Sequence, residues 1–166
     1  MKTTLKVIIL FFAPLVIGCI GKEEKEEKFS YEKKSTNVEK VEKKEEKVPA
    51  SKRVDLTTKG VGPITSLELL SNIDQAMVKK GEGIFRDLCI TCHRVGKNFV
   101  GPDPTGLLNR RTPEWVMNMI LNPEKMVEED DLAQALLKEY NGSPMINQNV
   151  SNEDARAILE YFRTLE

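Results

Sequence analysis

Cys89-Ile90-Thr91-Cys92-His93 decides how this chain is read. Two thiols three positions apart on a helical turn can each add to a vinyl group along one edge of a porphyrin. The next residue then projects an imidazole along the normal to the iron. The pattern reads as c-type haem attachment, with Cys89 and Cys92 as thioether sulfurs and His93 as an axial ligand. Two other chemistries use cysteines at this spacing, a thioredoxin-like redox pair and half of a zinc site. The surroundings show no βαβ pattern for the first. The second lacks partners, because His93 is the only histidine and the third cysteine, Cys19, has a separate role at the N-terminus.

The flanks read as helices. Upstream, Met77, Gly81, Ile84, Phe85 and Leu88 recur at helical spacing and give one apolar face. Downstream, Ser151 is a good N-cap with Asp154 three residues later, and Ala155, Ile158, Leu159, Phe162 and Leu165 form a matching stripe. Between them Thr112 caps, and Pro113 opens, a helix to Leu121. Asp130 to Tyr140 is another helix, closed by Asn141-Gly142. These segments predict an all-α domain.

From about Ser71 to Glu166 the sequence resembles a small bacterial class I cytochrome c. The resemblance implies three to five helices packed around one covalent haem c. In that family a glycine and an aromatic of the N-terminal helix, here Gly81 and Phe85, cross the C-terminal helix closely. Tyr161 and Phe162 stand where the family has its terminal-helix aromatics. Gly101-Pro102-Asp103-Pro104-Thr105-Gly106 is similar to the loop after the attachment helix, in which the proline carbonyl, here that of Pro102, accepts the Nδ1 hydrogen of the axial histidine. Such a bond fixes the ring and makes the imidazole a stronger donor to iron. Pro104 departs from the pattern, where a leucine is usual. Arg110, Arg111 and Trp115 follow at positions where the family often has groups that hydrogen-bond haem propionates, the arginines through paired donors and the indole through its N–H. The sequence does not choose between the arginines, and Trp115 also reads as core.

The sixth ligand is constrained by the absence of a second histidine, which leaves methionine, lysine or an open position. Met1 departs with the signal, Met77 precedes the attachment site, and Met117 and Met119 lie within the helix from Thr112 to Leu121, where they read as core. Two candidates remain. Met126 follows Asn122-Pro123 in a turn before the next helix, and Met145 stands in the loop Gly142-Ser143-Pro144-Met145-Ile146. Met145 is preferred, because a rigid Ser-Pro step can hold a thioether over the open haem face. The resemblance places the family's methionine in that loop too, although there a proline commonly follows the ligand and here Pro144 precedes it.

The first 20 residues have the parts of a secretory signal: Lys2 and Lys6, an apolar stretch, and a small-residue cleavage region. As a transmembrane helix the stretch is short of the roughly 20 apolar residues required, and Pro14 interrupts it. Val16-Ile17-Gly18-Cys19 resembles the bacterial lipobox, which makes Cys19 a lipid anchor. Residues 22 to 59 are mostly Lys and Glu and cannot bury enough apolar surface to offset their conformational entropy. They are expected to form a disordered tether with an r.m.s. span of roughly 35 Å. The chain thus divides into a signal peptide (1–18), a lipid-anchored charged linker (19–60) and a haem domain (61–166).

Residues 61–166 hold 11 basic and 16 acidic side chains, a net of −5 inside a chain whose formal charge is −1. No basic patch with interleaved aromatics is present, which argues against nucleic acid; a basic or neutral protein partner fits that balance. His/Met ligation leaves no vacant position on iron, so the reading is a mono-haem electron carrier cycling between Fe(II) and Fe(III), not an enzyme. It would be tethered on the exported side of a bacterial membrane, in the periplasm or on the outer face, between a redox donor and acceptor of a respiratory chain. Two alternatives stand beside it: a haem enzyme or gas sensor with a labile distal methionine, and a fixed haem subunit of a larger respiratory or reductase complex.

Overall fold

The computed structural model describes residues 48–165. The expected signal peptide, Cys19 and the linker as far as residue 47 lie outside the described residues. Among the described residues there are five helices, α1 (Gln75–Ile84), α2 (Pro113–Leu121), α3 (Pro123–Glu129), α4 (Asp131–Glu139) and α5 (Asn152–Phe162). A π turn, Phe85–Cys89, continues α1, and a 3-10 turn spans Leu107–Asn109. Among the described residues the only β pairing is two isolated bridges.

Helices α1, α2, α4 and α5 begin where a side chain satisfies free amides; α3 has no side-chain cap and opens on Pro123. The Asp74 carboxylate accepts from the amides of Ala76 (2.9 Å) and Met77 (3.1 Å) at the start of α1. The Thr112 and Ser151 hydroxyls each accept at 3.1 Å, from the amides of Trp115 and Asp154, and Asp130 accepts from Ala133 at 2.8 Å. Past α4 the chain turns through Asn141 (φ 57°) and Gly142 (φ 76°), and the Gly142 amide closes on the Leu137 carbonyl at 2.8 Å.

The frame is the crossing of α1 and α5. A Cβ on Gly81 would lie 2.0 Å from the Ala157 carbonyl oxygen, so the two backbones touch at a point that only glycine permits. Beside it Phe85 packs against Tyr161 (centroids 5.5 Å) and edge-on against Phe162 (5.7 Å). The expected stripe from Met77 to Leu88 does not continue unbroken. The wider π turn shifts the register, so Leu88 leaves the α5 face and lines a cleft instead.

Two boundaries differ from the sequence reading. Met126, expected in a turn, lies inside the separate helix α3, because Pro123 occupies the first helical position, where its missing N–H costs nothing. The expected linker, 19–60, overlaps a segment that is packed from residue 49 onward. Ala50 and Ser51 are buried, and the segment's carbonyls are held by side chains of the helical domain. Arg111 donates to the carbonyls of Ala50 (2.6 Å) and Arg53, Thr112 to that of Thr58 (2.6 Å), and Asn118 to that of Lys59 (2.9 Å). Asn118 also exchanges two 2.9 Å bonds with the backbone of Ile64. The strap from Pro49 to Ile64 is thus ordered by polar capture of its backbone, which needs little apolar surface of its own.

Candidate functional site

The π turn ends at the Cys89-to-His93 stretch and sets its geometry. The Ile90 amide reaches back to the Phe85 carbonyl at 3.0 Å, and the amides of Cys92 (3.0 Å) and His93 (2.9 Å) both reach the Cys89 carbonyl. This tight turn brings Cys89, Cys92 and His93 to one wall of a deep cleft. The cleft has an empty volume of about 1410 Å³, which includes solvent at its open mouth. Neither cysteine is in a disulfide. Burial, with Cys92 beside it, pushes the Cys89 thiol up to about 11. That is opposite in direction to the shift of a thioredoxin-type nucleophile.

The His93 ring is fixed from behind. Its Nδ1–H donates to the Pro102 carbonyl at 2.8 Å, which leaves the Nε2 lone pair free. Gly101 is the residue whose importance the sequence reading missed: a Cβ there would lie 2.6 Å from Cε1 of His93 and 3.0 Å from Nδ1. The Gly101 amide also donates to the Cys92 carbonyl at 2.9 Å, which closes the loop over the ring. Its only sequence signal is its place immediately before Pro102. Asp103 stabilises the far side of the loop, accepting from the amides of Gly96 (3.0 Å) and Thr105 (2.8 Å).

The three expected propionate donors all line the cleft, but they are engaged in different ways. Arg110 commits both terminal nitrogens to the loop carbonyls of Asp103, Thr105 and Gly106, at 2.7 to 2.9 Å. Trp115 donates its indole N–H to Asp130 at 3.2 Å. Arg111 is buried; its terminal nitrogens hold the carbonyls of Ala50, Arg53 and Arg110, while its Nε has no partner. The Tyr140 hydroxyl, which the sequence reading did not single out, is likewise buried without a partner of hydrogen-bonding geometry. Burial pushes both groups toward their uncharged forms, lowering the pKa of Arg111 and raising that of Tyr140. Arginine nonetheless stays cationic. These two unsatisfied donors, both on residues lining the cleft, suit a ligand that is apolar over most of its surface and carries acceptors at one end.

The methionines separate clearly. Met145 lines the cleft, in a loop tied back by Asn147 to the Leu121 carbonyl (3.5 Å). Met126 is fully buried away from the cleft, and its sulfur accepts the Val61 amide at 3.0 Å. Met117 is core, as expected. Met119 is not wholly so: α2 turns Trp115, Val116, Met119 and Ile120 toward the cleft and Met117 and Asn118 away from it. Two thiols, an imidazole, apolar walls and polar atoms without partners fit a covalently held haem, and the Met145 thioether lines the same cleft.

The cytochrome c family model matches residues 78–166. Among solved structures, cytochrome c from Rhodothermus marinus gives a TM-score of 0.61 at 38% identity, covering 63% of this chain and 89% of that one. An engineered cytochrome c from the same organism gives 0.60 at 38% identity, covering 63% and 90%. A search of curated proteins returns no match.

Proposed function

Because the chain belongs to the cytochrome c family, and so carries covalent haem c and passes electrons between redox partners, we propose that it is a mono-haem carrier with His93 and Met145 as axial ligands, anchored through Cys19 to the exported side of a bacterial membrane. The observation that carries this reading is that Cys89, Cys92, His93 and Met145 line a single cleft, while Met126 does not.

Haem c supplies the one-electron cycle between Fe(II) and Fe(III). The chain's own residues do the rest. Cys89 and Cys92 retain the cofactor covalently. The Pro102 carbonyl holds the His93 tautomer with Nε2 unprotonated, and Gly101 gives the ring its room. The apolar walls from α2 and α5 exclude water, while Arg111 Nε and the Tyr140 hydroxyl offer donors to the cofactor's carboxylates. The lipobox-like Val16-Ile17-Gly18-Cys19 and the Lys/Glu-rich run from Lys22 to Lys47 support a tether, which raises the local concentration of the carrier near membrane-bound donors and acceptors of a respiratory chain.

The ligand assignment is tested by the methionine-to-ferric-iron charge-transfer band. It is expected to vanish in Met145→Ala and persist in Met126→Ala. The reverse pattern refutes Met145 as the ligand, and rapid carbon monoxide binding by the reduced native protein refutes the carrier reading.

A further inference from the structure

The net charge of −5 over residues 61–166 is confined to one part of the fold. Residues 113–139, which form α2 to α4, hold seven carboxylates and two lysines, so they account for the whole excess. The attachment loop on the other side of the cleft is different in kind. A shallow groove there is lined by Phe85, Ile90, Val95, Phe99 and Tyr161, together with Arg86, Arg94 and Lys97 against the single carboxylate of Glu82. Arg86 pairs with Asp87 at 3.4 Å. Among the described residues Arg94 and Lys97 enter no ion pair.

The apolar part of the groove is exposed and held in place. Phe99 is 53% exposed, yet its amide donates to the Gly101 carbonyl at 3.0 Å and the Arg94 guanidinium lies 5.1 Å from its ring centroid. Val95 and Ile90 stand beside it, also exposed. An ordered aromatic with a stacked arginine is the composition of an interface anchor, because neither side chain must lose much further freedom on docking. The groove also shares Phe85 with the cleft, and it uses Ile90, Arg94, Val95 and Phe99 of the loop whose Cys89, Cys92, His93 and Val100 face inward. No residue of the Met145 loop or of α2 to α4 lines it.

From this segregation we propose that the groove around Phe99 docks an acidic redox protein, one that sets carboxylates against Arg94 and Lys97 and an apolar side chain against Phe99. The inference rests on the carrier reading above. It reverses the partner charge that the segment's net charge implies, since the contact face and the acidic helices are separate surfaces. The partner would then sit against the His93 wall of the cleft and not against the Met145 and Ile146 loop.

Two probes test it on the reduced full-length holoprotein. Hexacyanochromate(III), a substitution-inert paramagnetic trianion, is expected to broaden backbone amide signals from Arg94 to Phe99. Ferricyanide takes one electron from the ferrous protein to give ferrocyanide and ferric protein. Its rate at low salt is expected to fall about tenfold in Arg94→Glu/Lys97→Glu, with the difference lost at high ionic strength, and to be unchanged in Lys125→Glu on α3. Broadening centred on Ile146, or a ferricyanide rate indifferent to the double reversal, overturns the docking face. Broadening at Arg94 to Phe99 without any oxidation by ferricyanide overturns the carrier reading, and the redox partner with it.

Discussion

Asn118→Ala is expected to release the N-terminal strap and lower the stability of the whole domain. Asn118 is almost wholly buried and makes three hydrogen bonds of 2.9 Å, two through Nδ2 to the carbonyls of Lys59 and Ile64 and one through Oδ1 from the Ile64 amide. At about 1 kcal/mol net for each bond the loss is about 3 kcal/mol. Part of it is recovered, since the strap is half-exposed and its freed groups can meet water. Against that recovery, a Cβ at Gly62 would lie 2.4 Å from Asn118 Oδ1, so the contact has no slack for a bridging molecule. The expected cost is therefore about 2–3 kcal/mol, near 10 °C in midpoint for a domain of this size. Asn118→Asp keeps the acceptor but sets a carboxylate against two carbonyls, and should cost at least as much. Denaturant unfolding followed by circular dichroism gives the free energy, and hydrogen exchange gives the location: the Ile64 amide should lose protection well before those of α1 and α5. A cost below about 0.5 kcal/mol with Ile64 protection intact would refute the polar-capture account of the strap.

Three further outcomes follow from the same structure. Gly81→Ala places a methyl 2.0 Å from the Ala157 carbonyl oxygen, and since both partners are backbone the helices must part; a loss of about 3 kcal/mol or more is expected, and one under 1 kcal/mol would show that the crossing yields. Glu160 is fully buried, and although burial alone would raise its pKa, the Asp74 amide at 2.9 Å and the guanidiniums of Arg156 and Arg163 hold the carboxyl below its usual 4.5. Its stabilisation is therefore present above that value and disappears as pH falls through the lowered one, so Glu160→Gln should cost about 2 kcal/mol at neutral pH, where both arginines keep some solvent contact. That cost should shrink in denaturant melts below pH 4.5, and a difference that grows with acid would contradict the assignment. Cys19→Ser should move the haem protein from membranes to the soluble fraction after a salt wash; retention would remove the lipid anchor.

The parts of this protein that were legible in the sequence are those set by short-range chemistry. Two thiols and an imidazole within five residues specify the cofactor wherever they are folded, and Ser151, Thr112 and Asp130 announce helix starts because a cap acts on amides two or three positions away. The family pattern also placed Gly81 and Phe85 correctly at the α1–α5 crossing. Tertiary structure alone decided the rest. The strap from Pro49 to Ile64 carries no hydrophobic period, and its order comes from Arg111, Thr112 and Asn118 capturing carbonyls more than 50 positions away. Met145 was already preferred from the loop around it, but only the packed structure shows that it lines the cleft while the Met126 sulfur meets the Val61 amide. The sign of the contact surface depends on where α2 to α4 carry their carboxylates relative to Arg94 and Lys97. Local bonding and spacing are written along the chain, whereas partnerships between distant backbone groups and the sorting of charge onto faces exist only once the helices have packed.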